Sequence, residues 1–206
     1  MSELEQGSEA AADFGLLRFL CYDTALGPCG LAWSSLGIVG SQLPEATRGE
    51  TVDRMRQRFP TAQRASERDA LPGFVLAAMA TVRALLNGEP CQLTAIPLDE
   101  RGIGSFYRAV FTLARQIPMG QTRNYGELAA LLNMPGASRA VGQAMGKNPF
   151  APLVPCHRVL PASAARRGDV GGFSAHGGAD TKARMLRIEA HATGQWAGQQ
   201  SELPLD

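Results

Sequence analysis

Long apolar runs are missing from this chain. Nowhere in its 206 residues do the ~18 consecutive apolar side chains needed to cross a bilayer occur, so no membrane partner is expected. Residues 1–13 lack the basic start and apolar core of a secretory signal; acidic and Ala-rich, they are expected to form a disordered tail. Histidine is scarce, with only His157, His176 and His191, and no CxxC or HxxxH pair exists, so no metal or other cofactor is expected. Cysteine is sparse too: Cys21, Cys29, Cys91 and Cys156. With no secretory signal, these read as reduced thiols of a cytoplasmic protein rather than as a disulfide framework. Cys21 and Cys29 flank a turn, and apolar burial is the expected role of both.

What is present is an apolar content of 45%, enough for one domain or two small ones. The net charge is only +1, but it is unevenly spread. Residues 1–100 carry 8 basic against 13 acidic side chains, and residues 101–191 carry 12 against 4. A basic half at +8 suits a polyanion partner, although an Arg-rich solvated surface accounts for charge alone equally well.

Leu16 to Tyr22, Gly30 to Ser34 and Gly37 to Leu43 read as three short strands, punctuated by Gly27-Pro28 and Ser35-Leu36-Gly37. Thr51 to Arg58 reads as a short helix. Pro72 to Leu86 reads as a longer one, with Val75, Leu76, Met79, Val82 and Leu86 on its apolar face and a stop at Asn87-Gly88. Residues 14–97 are thus expected to form an α/β domain, a small antiparallel sheet with helices. Residues 98–105 read as a linker, 106–192 as a mainly α domain, and 193–206 as a tail. In the second half, Phe106, Val110, Phe111, Leu113 and Ala114 mark a helix ending before Pro118. Asn124 and Glu127 form a capping box for a helix whose apolar face is Leu128, Leu131 and Leu132. Met134-Pro135-Gly136 breaks it, and Ser138 is placed to cap the next helix, which carries Arg139, Val141, Ala144 and Met145. Two short helices about a tight turn make a helix-turn-helix pattern, and the small residues Ala137, Ala140, Gly142 and Ala144 make its second helix slim enough to approach a groove closely.

One pentapeptide carries chemistry: Pro155-Cys156-His157-Arg158-Val159. A thiol becomes a useful nucleophile when a neighbour favours its thiolate. On the helix expected from Thr181 to His191, Glu189 lies four residues after Met185, on an apolar face where a carboxylate needs a partner. A Cys156–His157–Glu189 relay follows. The Cys-His pair taken alone favours a buried structural cysteine.

The wider pattern weighs the other way. Ile117-Pro118-Met119-Gly120, Asn124-Tyr125-Gly126-Glu127-Leu128-Ala129, Ser138-Arg139-Ala140-Val141-Gly142, Asn148-Pro149, the cysteine motif, Gly172-Phe173-Ser174 and Lys182 to Glu189 follow one another over about 90 residues. In that order they resemble the O6-alkylguanine-DNA alkyltransferases, also called methylated-DNA–protein-cysteine methyltransferases. The resemblance implies direct reversal of DNA damage: Cys156 takes the alkyl group of O6-methylguanine irreversibly, once per protein, with O4-methylthymine left open as a second substrate. It implies that His157 deprotonates the thiol through a water while Glu189 holds His157, and that Asn148 braces the turn. It implies that Tyr125, the carbonyl of Val159, the amide of Ser174 and the wall at Phe173 receive the base. Arg139 would fill the space of a base flipped out of the duplex, with Ser138, Ala140, Gly142 and Tyr125 also at the DNA. The implied partner is double-stranded DNA, met from the minor groove with little sequence preference by a monomer needing no cofactor.

This sequence departs from the family pattern at Phe173, where many members have Tyr, at a longer 173–182 stretch, and at Ala190, where Gly is common. Two other functions stand beside the first: recognition of alkylated bases without transfer, and a methylation-responsive regulator. Cys156 argues against the former, and the lack of a Cys/His cluster in the first half argues against the latter.

Overall fold

The computed structural model describes residues 15–164 and 170–194. The expected tail at 1–13, all but two residues of the tail at 193–206, and Arg166 and Arg167 lie outside them. Among the described residues no helix is long and apolar enough to cross a membrane.

The first half is a four-stranded sheet of order β3-β2-β1-β4, with β1 Arg18–Thr24, β2 Gly27–Trp33, β3 Ile38–Gln42 and β4 Gln63–Arg64. The first three strands are antiparallel neighbours, and the two-residue β4 adds a short parallel edge beside β1. Strand alternation divides the core. Leu20 and Tyr22 face the main core, while Leu17 and Phe19 face a smaller cluster with Ala32, Val39 and Met55. Gly27-Pro28 is not the turn. The hairpin closes with Thr24 opposite Gly27 across Ala25 and Leu26, and Pro28 falls before the β3 pairing that starts at Gly30, where a missing N–H is tolerated.

Helix α1 runs Arg48–Arg58, a turn longer at its start than the apolar pattern suggests, because the Thr47 side chain caps the Glu50 N–H. Helix α2, Gly73–Asn87, buries Val75, Met79, Val82 and Leu86 as expected and ends at Gly88, whose left-handed φ of 77° suits a residue without a Cβ. Leu76 is 51% exposed rather than on the buried face. The stretch read as a linker is pinned to the sheet: Leu98 bridges Ile38, the Asp99 N–H donates to the Ile38 carbonyl, and the buried Asp99 carboxylate accepts from the Ser34 hydroxyl at 2.5 Å.

The second half is mainly helical: α3 Ser105–Arg115, α4 Tyr125–Leu131, α5 Ser138–Gly146 and α6 Gly178–Ala192. The Asn124–Glu127 capping box is present in full at the start of α4. Leu128 and Ala129 form that helix's buried side and Leu132, just past its end, packs against the core, while Leu131 is 60% exposed. Ser138 is not a cap. Ala137 occupies the cap position of α5 without a side-chain bond, and Ser138 is the first helical residue. The core runs without a break from Leu20 and Leu31 in the sheet through Val82 and Phe111 to Phe150 and Met185.

Candidate active site

A two-stranded parallel ladder assembles the site. β5, Arg123–Asn124, pairs with β6, Val159–Leu160, and so ties the entry of α4 to the exit of the Cys156–Arg158 turn. Helix α6 closes over this turn. Lys182, Met185 and Glu189 recur at helical spacing, so all three reach one buried face.

The Glu189 carboxylate ties two other segments to α6. His157 Nε2 lies 2.7 Å from Oε1, the Arg158 guanidinium donates from Nε at 3.0 Å to Oε2 and from Nη2 at 3.0 Å to Oε1, and the Gly120 N–H donates at 3.1 Å to Oε2. Arg158 also donates to the Ile117 carbonyl at 2.6 Å, a supporting role in the fold. Burial works to raise the Glu189 carboxyl, but the bonds from His157 and Arg158 outweigh it and hold it at about 2. Burial depresses the His157 imidazole below its usual value against the pull of Glu189, so the ring is neutral. A neutral ring facing a carboxylate donates from Nε2, which leaves Nδ1 as the basic nitrogen. Nδ1 is buried and makes no hydrogen bond among the described residues.

Cys156 is 5% exposed and opens onto a cavity of about 220 Å³. Tyr125 from α4, Gly142 and Gly146 from α5, Phe173, Ser174 and Lys182 line it with the thiol. Burial pushes the Cys156 thiol up, opposed by a hydrogen bond from Asn148, the charge of Lys182 and backbone N–H donors. Asn148 also donates from Nδ2 to the Val154 carbonyl at 2.8 Å, while its Oδ1 accepts from Phe150 N–H at 2.9 Å. Val159 is buried, and its carbonyl accepts from Lys182 Nζ at 2.9 Å.

The cavity thus brings together Cys156, Tyr125, Phe173, Ser174 and Gly142, with His157, Glu189, Asn148 and Val159 packed around them. Arg139 and Ser138 are exposed and Ala140 half-buried at the other end of α5, and none of the three lines the cavity. Lys182 has a larger place in the site than its sequence position suggests. A lysine on an apolar helix stripe was the available signal, since only a paired lysine is buried in such a place. No cluster of three or more metal-ligating side chains exists among the described residues.

The family described as 6-O-methylguanine DNA methyltransferase, DNA binding domain, matches residues 105–191. The methylated-DNA–protein-cysteine methyltransferase of Mycolicibacterium paratuberculosis is 48% identical over 94 residues, 46% of this chain and 53% of that protein. The protein of that name from Mycobacterium bovis is 41% identical over 118 residues, 57% of this chain and 67% of its own. In sequence, the chain therefore spans about half the length of the first and two thirds of the second. The crystal structure of Mycobacterium tuberculosis OGT in complex with DNA superposes with a TM-score of 0.64 at 31% identity, covering 85% of this chain and 94% of that one.

Proposed function

The chain belongs to the O6-methylguanine DNA methyltransferase family, and from that premise we propose that Cys156 is the acceptor for the alkyl group of O6-alkylguanine in duplex DNA. The supporting observation is a thiol at the cavity wall, followed in the same turn by a neutral imidazole whose buried Nδ1 has no hydrogen-bond partner among the described residues and whose Nε2 is fixed by a carboxylate. His157 Nδ1 takes the thiol proton through a water, and Glu189 stabilises the imidazolium that forms. The thiolate forms a bond to the alkyl carbon as the bond from that carbon to guanine O6 breaks. The electron pair leaves with guanine, which takes a proton from the His157 imidazolium. The thioether has no easy route back, so each molecule acts once.

The base enters between Tyr125, Phe173 and Ser174, with the Val159 carbonyl held ready by Lys182. Residues 106–192 act as the DNA-binding and transfer domain of a monomer, and residues 14–97 as its support across a linker at 98–105. The flipped base leaves a gap that Arg139, on the exposed start of α5, fills from the minor groove, with Ser138 and Ala140 beside it. Phosphate contacts dominate, so binding is nearly sequence-blind and salt-sensitive. Extrusion costs a few kcal/mol in a duplex and nothing for a free base, so Arg139→Ala is expected to slow duplex repair about tenfold and leave reaction with free O6-benzylguanine unchanged. Equal slowing on both substrates rejects the gap-filling role.

The deciding experiment is intact mass after mixing with O6-methylguanine DNA. A gain of about 14 Da on the peptide containing Cys156 is expected of a cysteine nucleophile. A gain on any other cysteine, with Cys156 unmodified, overturns the assignment.

A further inference from the structure

Helix α1 ends in a cation whose hydrogen-bond acceptors are neutral. Arg58 donates from Nη1 to the Ser41 carbonyl at 2.8 Å and to Gln42 Oε1 at 2.9 Å, and from Nη2 to the Pro149 carbonyl at 2.9 Å. Burial pulls the guanidinium down to about 10, so it stays charged at neutral pH. The approach needs Gly40, where a Cβ would run into the Phe59 ring and stand 3.2 Å from Arg58 Nη2. Gln42 is set for its part, since its Nε2 donates to Glu45 Oε1 at 3.0 Å and its oxygen is left for Arg58. The Pro149 carbonyl takes a second bond, from the Ser41 N–H at 2.8 Å. Both donors come from the sheet half, and Arg58 lies 91 residues away in sequence.

Pro149 is the residue after Asn148, and the peptide plane decides what this grip does. The carbonyl held by Arg58 and Ser41 and the Phe150 N–H belong to one rigid unit. That N–H donates to Asn148 Oδ1, which turns the Asn148 amide so that Nδ2 meets the Val154 carbonyl; the Cys156 N–H donates to the same carbonyl at 2.9 Å. The amide also gives the thiol a hydrogen bond that favours its charged form. A chain of fixed groups therefore runs from the end of α1 to the sulfur.

We propose that Arg58 is a positioning residue for alkyl transfer, one that orients Asn148 against the Cys156 turn through the Pro149–Phe150 peptide plane. This deepens the proposed function and rests on Cys156 being the alkyl acceptor.

The test uses the full chain with Arg58→Met, which keeps the stem and removes the fork, Arg58→Lys, Asn148→Ala and the Arg58→Met/Asn148→Ala double variant. The first readout is the pH dependence of Cys156 modification by iodoacetamide, followed on its own peptide, which needs no DNA. Lys182 from α6, Tyr125 from α4 and His157 on the same turn face the thiol and are unchanged in the Arg58 variants. A rise of the midpoint by at least about half a pH unit in Arg58→Met therefore reports the loosened Asn148. The second readout is single-turnover transfer at saturating methylated duplex, expected to fall by about tenfold or more for a misplaced group, with DNA affinity unchanged. Arg58→Lys reaches one acceptor at a time and is expected between parent and Arg58→Met. The double variant is expected to be no slower than Asn148→Ala alone.

An Arg58→Met protein that unfolds more easily, yet keeps the parent's midpoint and rate well below its melting range, overturns the proposal. Multiplicative losses in the double variant also overturn it. Should Arg58→Met fail to fold, Arg58→Lys decides, and parent-like behaviour there overturns the proposal. A parent that transfers no methyl group defeats the proposed function instead, while the iodoacetamide profile still judges Arg58.

Discussion

Cys29 sits on the central strand β2 opposite Tyr22, and Cys156 sits on the turn after Pro155; neither is more than 5% exposed. At Cys29 burial meets little resistance: the Thr24 hydroxyl at 3.6 Å is its one side-chain hydrogen-bond partner among the described residues, and the thiol is pushed up to about 12. At Cys156 the same burial is opposed by Asn148, Lys182 and backbone donors, a histidine follows in the same turn, and a cavity gives access. Burial alone makes an inert thiol. What separates the two regions is the set of groups arranged to work against burial, together with a path to the sulfur.

The largest effect should come from exchanging which thiol is removed. Cys156→Ala is expected to lower transfer by on the order of 10³-fold or more, while Cys29→Ala leaves the rate alone. Mass spectrometry of both variants after exposure to methylated DNA checks this, and a methyl group on Cys29 would break the comparison.

Removing the relay should make the second region behave more like the first. His157→Ala and Glu189→Gln are each expected to slow transfer by roughly 10²- to 10³-fold with DNA affinity kept, and the double variant to lose far less than the product. Single-turnover kinetics settles it, and a full product would mean the two groups act separately.

Acid should loosen the relay and also weaken the Asp99 grip on the sheet, since the bonds from Arg101 and Ser34 hold that carboxyl below its ordinary value. The Glu189 carboxyl is held at about 2 against an ordinary 4.5, so its contribution is complete above pH 4.5 and disappears as pH falls toward 2. His157, held below its ordinary 6.5, acts in the same sense, because the unfolded chain takes up its proton first as pH falls through 6.5. Stability should therefore decline below pH 6.5 and more steeply below 4.5, the Glu189 part amounting to about 3 kcal/mol. Urea unfolding across this range tests it, and a Glu189→Gln variant with the same steep lower leg would assign the loss elsewhere.

The smallest effect belongs to Cys29 itself. Cys29→Ala should cost about 1 kcal/mol in urea unfolding, the penalty of a small void in a packed strand. A null result there, with the transfer rate unchanged, would still leave the contrast in reactivity standing.

The sequence exposed these two regions unequally. Asn124 and Glu127 announce a capping box because both partners lie within one turn, and Glu189 stands out because a carboxylate on an apolar stripe demands a partner. The pentapeptide at Cys156 does not read locally: the Cys-His pair alone favours a buried structural cysteine, and the pattern spread over about 90 residues is what weighs the other way. Gly27-Pro28 misleads because a proline can open a strand as readily as it ends one. Leu76 and Leu131 mislead because an apolar residue is free to lie in solvent, so periodicity overstates the buried face. The grip of Arg58 on Pro149 has no local signature: an arginine at a helix end is ordinary, and what it meets is decided by how two distant segments pack. Lys182 lies between these cases, legible only once its helix face is known to be buried.

One detail of α5 has a wider meaning. Gly142 and Gly146 stand one turn apart at the cavity, and a Cβ on either would meet nothing within 4 Å. No crowding in the fold requires them to be bare, yet Gly142, inside the helix, weakens it by about 1 kcal/mol relative to alanine. Space around the sulfur is kept open by a standing deficit in the helix beside it. Optimisation of this backbone for thermal endurance alone would replace Gly142 early, yielding a hardier protein with a narrower door.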